Sequence, residues 1–194
     1  MSSFVRAGDP GDVAAVAALH SERIGEGFLV ILGPRFLTRL YRRIARSATA
    51  VLLVAQADDR VVGFVAATTS TSRLYAEFLR RDAIPAGVAA APRILRDPRR
   101  VWETLRYGTS DHDDLPPAEI LSIAVASGAT GEGIGSALLD AALIELTQLG
   151  VEAVRVVTTV GNEAAIGMYQ RAGFSRRRRT EVHHGVEQEV LVWP

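Results

Sequence analysis

Glu119-Ile-Leu-Ser-Ile-Ala-Val125 followed by Ala126-Ser-Gly-Ala-Thr-Gly-Glu-Gly133-Ile-Gly135 is the stretch whose reading decides the fold. Its first half is an apolar run bounded upstream by Pro116-Pro117, the pattern of a buried strand. Its second half is a loop of small residues. An apolar-striped helix leads out of that loop to Leu149, with Gly150 placed as the C′ residue. A second strand, Ala153-Val-Arg-Val-Val-Thr-Thr159, then runs into Asn162-Glu-Ala-Ala-Ile-Gly-Met-Tyr169-Gln-Arg-Ala-Gly173-Phe174. Strand, glycine loop, helix and strand make a βαβ unit.

The glycines sit where a helix begins, and that position carries chemistry. The first four N–H groups of a helix lack internal partners, and the helix dipole adds partial positive charge there. Glycines at 131, 133 and 135 remove side chains that would hold an anion away, so a pyrophosphate fits the site. A plain tight connection between strand and helix would use the same residues without a ligand. Two other nucleotide readings fail. The dinucleotide fingerprint G-x-G-x-x-G does not match the spacing of Gly131-Glu-Gly133-Ile-Gly135-Ser136, and a P-loop needs a lysine, which the chain lacks.

The ordered set resembles the GNAT superfamily of acyl-CoA-dependent N-acetyltransferases. The family loop R/Q-x-x-G-x-G/A has its counterpart in Thr130-Gly-Glu-Gly133-Ile-Gly135. The later family signature is matched by Asn162, Ala165-Ile166, Tyr169 and Gly173-Phe174. Thr130 replaces the usual Arg or Gln, and Glu132 adds negative charge; neither removes a backbone donor. The resemblance implies an α/β GNAT fold: a mixed, mostly antiparallel sheet of about seven strands flanked by helices. It implies acetyl-CoA as co-substrate, held by Thr130, Gly131, Gly133, Ile134, Gly135 and Ser136 at the phosphates. In the family the pantetheine arm lies along the fourth strand, which places it here beside Ile123 and Val125, with Asn162 and Ala165 at the head of the next helix.

With 194 residues, the length suits a single domain over residues 1–194. The formal net charge is zero, with 22 basic and 22 acidic residues, so wholesale nucleic-acid or membrane binding is not expected. No cysteine is present, which excludes disulfides, thiol nucleophiles and thiolate metal sites. The N-terminus lacks the apolar core of a signal peptide and no run reaches transmembrane length, so a cytoplasmic protein is expected. The expected partners are a small-molecule amine acceptor and, in an oligomer, a second copy of the chain.

Around the central unit the chain reads as follows. Phe4-Val-Arg-Ala is a first strand, and Asp9-Pro10 is an N-cap with proline at the first helical position. Gly25-Glu-Gly27 interrupts, and a second helix starts near Pro34 with Phe36, Leu37, Leu40, Tyr41 and Ile44 on one face. The strands Val51–Ala55 and Val61–Ala66 are joined by a turn at Asp58-Asp59-Arg60. Residues 72–107 are helical in composition and split by Pro85 and Pro92; with eight Arg against Glu77, Asp82, Asp97 and Glu103 they read as an inserted helical lid. That surplus either draws in an anionic acceptor or is a solvated surface. Ser110-Asp-His-Asp-Asp114 reads as a surface turn, and no metal is expected. His183-His184-Gly185 reads as a hairpin turn between a strand from Phe174 and the last strand, Val186 to Trp193.

Acetyl transfer to an amine needs a base, donors for the oxyanion, an acid for the thiolate and a means of holding both substrates. Glu119, at the start of the fourth strand, is the candidate base, acting directly or through water, and the resemblance implies Tyr169 as the acid. No covalent acyl-enzyme is expected, since there is neither cysteine nor a recognisable serine triad. Three alternatives remain: a non-catalytic acyl-CoA-binding regulatory module, a peptide or protein amine acetyltransferase, and an Arg-rich interaction protein.

Overall fold

The computed structural model describes the backbone of residues 3–24, 32–94, 114–181 and 187–194, and side chains in these ranges apart from 83–94 and 181. Seven strands form one sheet in the order β1-β2-β3-β4-β5-β7-β6: β1 (Phe4–Ala7), β2 (Ala50–Ala57), β3 (Arg60–Thr68), β4 (Ala118–Val125), β5 (Val154–Thr159), β6 (Ser175–Glu181) and β7 (Glu187–Trp193). Every pairing is antiparallel except β4 with β5. This is the mixed, mostly antiparallel sheet expected from the sequence.

The central strands are apolar on both faces because both are covered. On one face α1 (Val13–Arg23), α2 (Pro34–Ile44) and α3 (Thr71–Ile94) pack over Leu52, Val54, Phe64 and Ala66. On the other, α4 (Ile134–Gln148) and α5 (Glu163–Arg171) cover Leu53, Val65, Ile120 and Val156. The β2–β3 turn is the tight two-residue kind: Asp58 and Asp59 take φ of 47° and 57°, where the short Asp side chain is tolerated.

Two helix readings are corrected. Helix α1 starts at Val13, because Asp9 caps a turn of its own: its Oδ1 accepts from Gly11 N at 2.6 Å. Asp12 then occupies the N-cap position, but its carboxylate accepts from Arg6 at 2.7 and 2.8 Å, not from the helix. Pro85 and Pro92 do not split α3, which runs unbroken from Thr71 to Ile94. Each proline removes a single N–H donor, and Ala83, Ala86, Ala89, Ala90 and Ala91 around them favour helix strongly. The rest of the lid reading, the turn at 110–113, the His183-His184 pair and the Gly25–Gly27 interruption lie outside the described residues. No described helix is long and apolar enough to cross a membrane.

Candidate active site

The strand pair that carries the site comes apart. Strand β4 pairs with β5 only from Ala118 to Ile120, opposite Val154 to Val156, whereas β5 goes on pairing with β7 as far as Thr159. Beyond Ile120 the two strands diverge around a cleft of about 390 Å³. His20, Glu119, Ser122, Asn162, Tyr169 and Gln188 are among the residues that line it. On its other edge β4 stays paired to β3, and Ala126 N donates to Val62 O at 2.8 Å. Backbone groups alternate in direction along a strand, so Ile123 and Val125 turn theirs toward the open side.

A bulge sets which side chains reach the cleft. Ser122 pairs with Ala66 and Ile120 with Ala67, leaving Leu121 as the extra residue. Before it, Ile120 faces the α4–α5 layer; after it, Ile123 and Val125 do. Glu119 and Ser122, three apart, therefore share the opposite face, toward α3 and α2 respectively. Simple alternation along β4 would have separated them.

At the mouth of α4, Gly131 and Gly133 adopt φ of +83° and +78°, and a Cβ on either would meet nothing within 4 Å. The backbone conformation is what demands glycine there, and the space outside both is open. Gly135 is different, since its Cβ would lie 3.1 Å from Met168 Sδ. It lets α4 approach α5. The N–H groups of Ile134, Gly135 and Ser136 head the helix without carbonyls four residues back. Ile134 buries its side chain in the core, and the Thr130 hydroxyl donates to Ser127 O at 3.0 Å, so both offer only their backbone outward.

Asn162 caps α5: its Oδ1 accepts from Ala165 N at 3.3 Å, and its Nδ2 donates to Thr158 Oγ1 at 3.4 Å. Tyr169 ends the same helix, held by a cap that explains the Gly-Phe after it. Gly173 takes φ of +96°, its N–H donates to Gln170 O, and Phe174 N–H reaches back to Tyr169 O, each at 3.0 Å. This is a Schellman closure, and its usual apolar contact is Phe174 against Tyr169, ring centroids 5.5 Å apart. The Tyr169 ring is buried, and its hydroxyl, on the cleft, has no hydrogen-bond partner among the described residues. Burial pushes the phenol well above its ordinary value, so it stays protonated.

Glu119 is anchored through one oxygen. Its Oε2 accepts from Arg155 Nε at 2.9 Å, Arg155 Nη2 at 2.8 Å and Thr71 Oγ1 at 3.0 Å. Oε1 has no partner among the described residues. The sequence reading missed Arg155, although it lies directly opposite Glu119 in the parallel register. It also missed the chain His20–Tyr41–Ser122, whose residues are 21 and 81 positions apart. Among the described residues no group of three His, Asp or Glu side chains is placed to hold a metal ion.

Comparison with known proteins agrees with this geometry. The model of the acetyltransferase (GNAT) family matches residues 18–174, most of the chain, including β4, β5 and the helices that follow each of them. The chain belongs to the GNAT family. That family is one of acetyltransferases. A mycothiol acetyltransferase of Propionibacterium freudenreichii subsp. shermanii is 41% identical over 66 residues, 34% of this chain and 21% of that protein. The chain thus covers about a fifth of the length of the curated relatives it matches. Among solved GNAT-like structures, the ribosomal-protein-S18-alanine N-acetyltransferase of Escherichia coli superposes with a TM-score of 0.65 at 14% identity, covering 100% of this chain and 94% of that one. A chain of the NatC complex bound to Gag peptide and CoA gives 0.62 at 15% identity, covering 100% and 99%. At such identities the likeness is one of fold.

Proposed function

We infer that the protein moves the acetyl group of acetyl-CoA directly to a primary amine, both substrates being bound at once. The observation that carries this reading is the opened β4–β5 seam. It joins the two faces of the sheet, with Glu119 and Ser122 on one and Ile123, Val125, Asn162 and Tyr169 on the other. A pantetheine arm along β4 would pair with the outward backbone groups of Ile123 and Val125. Its pyrophosphate would rest on the N–H groups between Gly131 and Ser136. An amine entering from the α1–α2–α3 side would meet the thioester carbon in the gap.

Glu119 takes a proton from the ammonium through Oε1, while Arg155 and Thr71 hold the carboxylate in position. The amine attacks the carbonyl carbon, and a β4 backbone N–H on the open edge stabilises the oxyanion. The C–S bond then breaks, and Tyr169 O–H protonates the departing thiolate. Ala165, whose N–H is engaged by Asn162, contributes its methyl to the wall of the cleft.

The acceptor we favour is a small amine or amino sugar that also carries a phosphate or carboxylate. Glu77 and Asp82 of α3 are both drawn to Arg43 of α2, with the Asp82 contact at 2.6 Å. Arg73 and Arg80 are left exposed, with no partner among the described residues. Residues 72–107 would then act as a lid within one acetyltransferase domain spanning residues 1–194, in a cytoplasmic enzyme. Incubation with acetyl-CoA and a panel of primary amines, followed by release of free thiol, tests the reading. Thiol release that depends on an amine is expected. Tight binding of acetyl-CoA with no release for any amine would identify a regulatory module instead.

A further inference from the structure

A buried hydrogen-bonded chain on the acceptor side has no part in the steps given to Glu119 and Tyr169. His20 Nδ1 lies 2.5 Å from Tyr41 Oη, which lies 2.8 Å from Ser122 Oγ. The three come from α1, α2 and the bulged half of β4. His20 and Tyr41 are 3% and 1% exposed, and Phe64 packs on both rings, so the contact between Nδ1 and Oη is shielded from bulk water. A core needs no such chain, because apolar side chains would pack there without the desolvation cost. Its open end, Ser122, lies on the cleft, as does His20.

The chain has a direction. Burial holds His20 neutral, its imidazolium form pushed down to about 4, and keeps Tyr41 protonated. With the ring proton on Nε2, Tyr41 O–H donates to Nδ1 and Ser122 O–H donates to Tyr41 Oη, the direction that carries a proton inward from the cleft. The Ser122 lone pairs are left facing the cleft as an acceptor. Glu119, paired with Arg155, shares the cleft with Ser122. Tyr41 from α2 and Tyr169 from α5 bring titratable hydroxyls, Tyr75 of α3 interacts with Glu119 and Arg155, and Phe64 of β3 stacks on the His20 ring.

Proton stoichiometry supplies a task for it. An ammonium group loses two protons from nitrogen in becoming an amide, and sulfur takes back only one. Glu119 accounts for the first. We propose that Ser122, Tyr41 and His20 relay away the second proton, the one lost from nitrogen once the tetrahedral adduct has formed. As N–H gives its proton to Ser122 Oγ, the serine proton passes to Tyr41 Oη and the tyrosine proton to His20 Nδ1. The C–S bond breaks and Tyr169 protonates sulfur; once the product has left, the proton passes back from His20 Nδ1 through Tyr41 to Ser122 and out to the open cleft, restoring the Nε2–H imidazole. The adduct nitrogen is far more acidic than a free ammonium, so a weak base suffices. Ser122 is the member that touches substrate; Tyr41 and His20 act through it.

This inference rests on the acetyl-transfer reading, and the experiment separates the two. With the best acceptor of the amine panel, Ser122→Ala should lower kcat on the order of a hundredfold, with KM for acetyl-CoA unchanged. Solvent isotope effects on kcat, measured across H₂O–D₂O mixtures, should curve for the parent, as several protons move together. They should become linear in Ser122→Ala and in Tyr41→Phe. Nitrogen-15 NMR of histidine should show the resting His20 protonated on Nε2, a readout independent of turnover and of whether Tyr41→Phe folds. An active parent whose kcat and isotope dependence survive Ser122→Ala overturns the relay alone, and so does a resting Nδ1–H tautomer. A parent silent toward every amine overturns both readings.

Discussion

Acidification should destabilise this protein well before its carboxylates protonate, and His20 is the reason. Burial lowers its folded-state value from 6.5 to about 4, so the unfolded chain binds a proton in a range where the folded chain does not. Stability is therefore fully present above pH 6.5 and is lost progressively as pH falls toward 4. At about 1.4 kcal/mol per pH unit, this window corresponds to a loss on the order of 3 kcal/mol, a large part of a typical domain's stability. With a urea slope of roughly 2–3 kcal/mol/M for a chain of this size, the midpoint should fall by about 1 M. The assay is urea denaturation at half-unit steps from pH 7.5 to 4, for the parent and for His20→Gln. Glutamine does not titrate, so the variant should start less stable but show a much flatter dependence over this window. Asp12 does not confuse the result. Its ion pair with Arg6 lowers its value, so its contribution is present above the ordinary carboxylate value near 4 and is lost only below it. An equal slope in parent and variant would refute a neutral, buried His20, and with it the direction assigned to the relay.

Other outcomes follow from the same geometry. Tyr169→Phe should lower kcat about a hundredfold and leave stability within about 1 kcal/mol, because the hydroxyl has no partner among the described residues; equal turnover would make the hydroxyl structural. Gly133→Val should abolish thermal stabilisation by CoA, and forcing a β-branched residue to φ of +78° should also cost about 1–2 kcal/mol in the apo protein; unchanged CoA binding would move the phosphate site elsewhere. For an anionic amine, kcat/KM should fall as salt rises, since exposed charges are screened beyond about 8 Å at physiological ionic strength, while neutral amines change little. A preference for a polyamine would end that reading.

Local signals made much of this protein legible from its sequence. The αL glycine at 150 closes a Schellman cap, with Val151 N–H on Leu146 O at 3.0 Å, and a C′ glycine after an apolar-striped helix announces such a cap. The two Asp residues of the β2–β3 turn, the glycines before α4 and the pairing of Asn162 with Tyr169-x-x-x-Gly173-Phe174 are equally local. Each depends on backbone geometry within a few residues. What lay beyond the sequence was set by contacts between distant segments. The bulge at Leu121 exists because β4 must satisfy β3 and β5 at once, and it alone turns Glu119 and Ser122 to one face. Arg155 meets Glu119 through parallel register, which no periodicity encodes. Tyr41 reads from sequence as a member of an apolar helix face, and no local signal singles out His20. Only the packing of α1 and α2 over β4 turns them into a polar chain, because a buried hydrogen bond is specified by where three backbones meet.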